Sequence, residues 1–116
     1  LRQVCGEIVM ADYDVPGSQQ LGKNIAKRFA EGYNTVMMEN HGCVMVSPEG
    51  LKRCLEMMEM MEAQGKSMIV AKIMGNLKTL DRDSVNELDA GVIKVRDLPM
   101  PGLPGEVKLL SDIFVC

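Results

Sequence analysis

The chain has 116 residues, 47% hydrophobic and 25% charged, with a formal net charge of -3, which is one domain's length in ordinary globular proportions. Its Lys and Arg are scattered rather than clustered, which argues against nucleic acid or an anionic membrane as the main partner. No apolar run approaches the roughly 18 residues of a membrane span.

The opening LRQVCGEIVM is too short and too mixed for a signal peptide. A first residue of Leu rather than Met fits a processed chain or a fragment of a longer one. Within residues 3–13, EIVMA reads as a strand. Pro16 and Gly17 then break it, and Ser18 is placed to cap the next element. Residues 19–31 fit an amphipathic helix with Leu21, Ile25 and Phe29 on one face. Gly32 stands where a left-handed cap would end it.

YNTVMME and CVMV are two short apolar runs around Asn-His-Gly. The spacing predicts an antiparallel hairpin with His41 at its tip or on the first residue of the second strand. Ser47, Pro48 and Glu49 suit a helix start, and residues 48–75 form the longest predicted helix. Its apolar face is expected to hold Leu51, Cys54, Leu55, Met58, Met61, Gly65, Met68 and Ile69, with Gly75 and Asn76 ending it. Glu49 with Arg53 and Glu62 with Lys66 make i, i+4 ion pairs. Most of the eleven methionines read as core. LDRDSVNELDAG predicts a short helix capped by Asp83 or Ser84, and DLPMPGLPG reads as a loop or extended arm. EVKLLSDIFVC follows as a final strand or a docking segment.

The order of elements predicts a mixed α/β fold with an antiparallel pair and helices over the sheet. Four cysteines, Cys5, Cys43, Cys54 and Cys116, lie far apart with no CxxC. They read as reduced, mostly buried thiols in a cytoplasmic protein.

His41 is the single histidine. By itself it reads as a turn residue with a local hydrogen bond; held out on a hairpin it could instead ligate a metal or move a proton. Cys43 lies two positions on, which on a strand is the same face. A His-x-Cys pair would still need two more ligands. Glu39 is a candidate carboxylate at the same turn, or a solvated strand end. Residues 16–18 precede a helix N-terminus, where backbone N–H groups can hold an anion. A turn plus a cap accounts for them equally.

Three stretches together carry a resemblance: ADYDVPGSQQLGKNIAKRF, VMMENHGCVMVSPEGLKRCLEMMEMMEAQGK and AKIMG. In this order and spacing the chain resembles the C-terminal half of the class II aldolase/adducin family, over residues 8–88. The resemblance implies a three-layer α/β/α fold with a largely antiparallel sheet, incomplete here. It assigns residues 1–88 to the C-terminal half of such a domain and 89–116 to a Pro/Gly-rich tail that could dock elsewhere. It also implies a zinc or other divalent-metal lyase that cleaves a ketose 1-phosphate through a metal-stabilised enediolate. His41 would be one metal ligand. The other two histidines, the base and most phosphate contacts belong to the family's upstream half and have no counterpart here. Tyr13 and Tyr33 do not match the family's C-terminal tyrosine. The family's sugar-phosphate 4-epimerases, and its adducin-like structural modules that keep the fold without the metal, are the alternatives. A sugar-phosphate ligand and a homo-oligomer, a tetramer by resemblance, follow from the same likeness.

Overall fold

The computed structural model describes residues 1–96, with the surroundings of side chains to residue 91. The expected arm at 97–105 and the segment 106–116 lie outside the described residues.

The chain opens with an unexpected turn of helix, α1 (Arg2–Cys5). Strand β1 (Ile8–Ala11) follows, then helix α2 (Gln19–Ala30). Strands β2 (Thr35–Met38) and β3 (Gly42–Met45) form the hairpin. Helices α3 (Leu51–Ile73) and α4 (Arg82–Arg96) complete it.

The ends of α2 are written in its sequence. Ser18 Oγ accepts the Leu21 N–H at 3.0 Å, satisfying a donor that has no partner within the helix. At the other end Gly32 takes φ 98°. Its N–H reaches Phe29 O, and Tyr33 N–H reaches Arg28 O, the paired bonds of a Schellman ending. Leu21 is buried, with Ile25 and Phe29 half-buried, so the expected face is the packed one.

The sheet order is β1-β2-β3. β1 runs parallel to β2, and β2 antiparallel to β3. Among the described residues the sheet is therefore small and mixed rather than largely antiparallel, and it is not clearly the middle of a three-layer stack. The reason is the crossover: α2 returns the chain to the end of the sheet where it began, so β2 must run with β1. Only the tight turn at 39–41 reverses direction. Side chains alternate, with Val36 on one face and Thr35 on the other, both fully buried. Thr35 Oγ1 donates to Cys5 O at 2.9 Å, and Cys5 Sγ donates to Met57 O at 3.2 Å. These bonds stack α1 and α3 over the Thr35 side, while α2 packs on β1 and β2. Met10 and Met37, directly opposite each other and in step with Thr35, remain exposed.

Helix α3 departs most from expectation. It starts at Leu51, not Pro48, because residues 47–50 fold into their own turn. Ser47 Oγ accepts Glu49 N–H, and Gly50 N–H reaches Ser47 O. Gly50 then takes φ 94° as the N-cap, a conformation glycine adopts without strain. The packed stripe is also rotated. Met57 is 1% exposed, and Cys54, Met61, Gly65 and Met68 are half-buried. Leu51 is 87% exposed, and Leu55, Met58 and Ile69, expected on the core face, face solvent too. Apolar residues line both sides of this helix, and the side chosen is the one facing α1. Most methionines are consequently not core: Met57 is the buried one among the described residues. The two expected ion pairs form, Arg53–Glu49 at 3.6 Å and Lys66–Glu62 at 3.5 Å. As surface pairs each contributes at most about 0.5 kcal/mol.

Helix α4 is capped by Asp81 rather than Asp83 or Ser84, its Oδ1 accepting Ser84 N–H at 2.8 Å. It runs through residue 88 to Arg96, past the expected start of the tail. Arg2 Nε and Gln3 Nε2 hold Asp89 at 2.9 and 3.1 Å, fastening α4 to α1.

Candidate metal-ligand hairpin

The turn between β2 and β3 spans Glu39, Asn40 and His41. His41 N–H closes it on Met38 O at 3.1 Å. Asn40 takes φ 54°, a left-handed conformation that asparagine tolerates at the third position of a turn. The strands on either side fix the loop, since Met38 and Gly42 are register partners. His41 is thus the last loop residue, exposed, on a turn braced by a short ladder.

The parallel register sets the neighbourhood. Ala11 pairs with Met38, so the segment leaving β1 emerges at the same end of the sheet as the His41 turn. That segment contains the Pro-Gly-Ser turn and the start of α2. C-terminal ends of parallel strands are where open α/β sheets bind ligands. The local bonds here form a network. Asp14 Oδ1 accepts both the Ser18 hydroxyl at 2.7 Å and Val15 N–H at 2.8 Å. Asn24 Nδ2 donates to Asp12 O, and Arg28 Nε donates to Met10 O. Asp14 was not singled out in the sequence. Its carboxylate accepts the hydrogen bond of the Ser18 hydroxyl, so an acidic side chain of the protein itself sits at the mouth of α2. The signal was Asp four residues before the capping serine.

The other candidates are not assembled around His41. Cys43 is half-buried on β3, while His41 lies in the loop, so the shared-face argument for a His-x-Cys pair does not apply. Glu39 is exposed. Among the described residues no three or more His, Cys, Asp or Glu come together in a way that could hold a metal. Zinc centres take three or four such ligands, and the chain has one histidine. The residues present therefore do not fit a complete metal centre. Cys5, Cys43 and Cys54 are free thiols. Burial pushes the Cys5 thiol up from its ordinary value, which suits an inert core group.

A family model described as the class II aldolase and adducin N-terminal domain matches residues 2–69. The chain belongs to this family. The matched part takes in α1, the whole sheet and most of α3. It begins before the stretch expected from the motifs and ends short of residue 88. No curated protein and no solved structure matches the chain. In this class II aldolase/adducin domain the strand-turn-helix around Pro-Gly-Ser and the Asn-His-Gly turn are parts of one sheet end.

Proposed function

We propose that this chain carries one imidazole of the divalent-metal site of a sugar-phosphate aldolase-type lyase. His41 is that ligand, zinc is the metal, and polypeptide outside this sequence supplies the remaining ligands and the base. In this reading residues 1–88 correspond to the C-terminal half of an aldolase-like domain, and the parent reaction is retro-aldol cleavage of a ketose 1-phosphate. The observation that supports it most is the β1–β2 register, which brings the Pro-Gly-Ser turn and the His41 turn to one end of the sheet. A bound metal would supply Lewis-acid stabilisation of oxyanion charge. The chain's own contribution is to hold the His41 ring outward on a braced turn. Alone it should not turn over substrate.

Zinc titration tests this. The chain should bind zinc with single-imidazole weakness, His41→Ala should remove that binding, and neither should cleave ketose 1-phosphates. In a longer polypeptide containing this sequence, His41→Ala should remove zinc and lyase activity together. Cleavage by the chain alone, or zinc retained by the longer His41→Ala protein, would refute the assignment. An adducin-like structural role predicts no zinc in the longer protein even with His41 present.

A further inference from the structure

Helix α3 carries two apolar stripes, and the packing of the described residues uses one. Met57 is buried against the body of the protein, and Cys54, Met61 and Met68 are half-buried beside it. Roughly 100° round the helix, one residue's rotation, Leu51, Leu55, Met58, Ile69 and Ile73 form a second line, each between 42% and 87% exposed. From Leu51 the spacing runs 4-3-4-3-4, through Leu55, Met58, Glu62 and Gly65 to Ile69. That is the heptad spacing by which one helix pairs with another, whereas a helix lying on a body needs a single apolar side. The seam spans α3 from its first residue, Leu51, to its last, Ile73.

We propose that this seam pairs with the same seam of a second copy of the chain, antiparallel, about a two-fold axis near Glu62. The pairing does not rest on the metal reading of His41. The seam is self-complementary about its own midpoint, as a two-fold interface requires. Leu51 of one copy faces Ile73 of the other, and Leu55 faces Ile69. Met58 lies against the aliphatic stem of Lys66. Gly65 stands in the seam where a Cβ would meet nothing within its own copy, and a bare backbone lets a second helix come close. Glu62 and Lys66 are paired within one copy at 3.5 Å, and both are exposed. Across the axis Glu62 meets Glu62, with Lys66 beside it. Parallel pairing would add Lys66 on Lys66, a second like-charge contact, so the antiparallel arrangement is favoured.

The area suffices for a dimer. A bare Leu, Ile or Met side chain offers roughly 100–150 Å². At their observed exposures the five apolar residues bring about 400 Å² from each copy. Homodimer interfaces are about 65% apolar, so the total comes to about 1,200 Å², above the roughly 1,000 Å² of a specific interface. An interface at that lower end gives micromolar association, and a dilute chain is monomeric.

Sedimentation equilibrium of the intact chain tests the pairing. From low micromolar to several hundred micromolar the mass should pass from monomer to dimer. Leu55→Lys and Ile69→Lys should each weaken association at least about tenfold. Glu62→Leu, which removes the like charges at the axis, should tighten it about tenfold. Val70→Lys, exposed on another side of the same helix, should leave it within about twofold. Met58→Glu, set opposite Lys66, should associate more tightly than Met58→Lys. All five positions are exposed, so far-UV circular dichroism of the variants should match the wild type. A wild-type chain that stays monomeric throughout overturns the proposal. So does an assembly indifferent to Leu55→Lys and Ile69→Lys, or one weakened by Glu62→Leu. Equal association of Met58→Glu and Met58→Lys overturns the antiparallel arrangement.

Discussion

Replacing Met57 with Ala tests which side of α3 faces the body of the protein. Met57 is 1% exposed, and its backbone carbonyl accepts the Cys5 thiol proton. Truncating a buried Met removes its transfer free energy and leaves a cavity, about 2–5 kcal/mol in sum. The low end fits here, because α1 is four residues long and free to settle inward. An expected loss of about 2–3 kcal/mol is a large part of the roughly 5–15 kcal/mol that domains possess. At about 4–8 °C per kcal/mol it lowers Tm by at least about 8 °C. The matched control is Leu51→Ala on the same helix. Leu51 is 87% exposed, and such a surface change should stay within about 0.5 kcal/mol. Urea unfolding followed by far-UV circular dichroism measures both. If Leu51→Ala costs as much as Met57→Ala, the helix packs through the Leu51, Leu55, Met58 and Ile69 side, and the stacking of α1 on α3 is wrong.

Ser18→Ala removes the α2 cap and the partner of Asp14, and should cost about 1 kcal/mol in the same unfolding assay; Ser18→Asp, which keeps a capping oxygen but sets a second carboxylate beside Asp14, should recover part of that, and a neutral Ser18→Ala would discount the bond to Leu21. The Asp81 carboxyl is held below its ordinary range, chiefly by the backbone N–H of Ser84. Its folded pKa is thus lower than its unfolded one. The cap's contribution is complete above the unfolded value, about 3.9, and is lost as pH falls through the folded value. Exchange of the Ser84 and Val85 amides, corrected for intrinsic rates, should rise on acidification below that point, and in Asp81→Ala it should be fast and lack this step.

The local signals in the sequence were faithful where one residue type has one use. Ser18, Gly32, Asn40 and Gly75 each end or turn an element as their chemistry requires, and each was visible beforehand. Elements whose identity depends on a distant partner were harder. The stretch at 2–5 is too short to display a period, and it is helical because Cys5 docks on α3 and Thr35. Helix α3 has apolar residues on two sides, so periodicity could not choose between them; the position of α1 did. The strand direction was within reach, since a strand, a 12-residue helix and another strand make a parallel crossover. At the candidate site the turn and His41 were legible. The bond from Ser18 to Asp14 was not, because it depends on how the chain leaves β1.

The bonds from Arg2 and Gln3 to Asp89 join residues 87 and 86 positions apart. Closing so long a loop is entropically slow and brings little return until both ends are already ordered. During synthesis the sheet and α3 emerge well before α4. The hairpin and the α1–α3 contact can therefore form while Arg2 and Gln3 are still in water. Helix α4 then arrives last, on a platform already built. It should also be the first element to leave, opening as a unit while the strands stay protected from exchange.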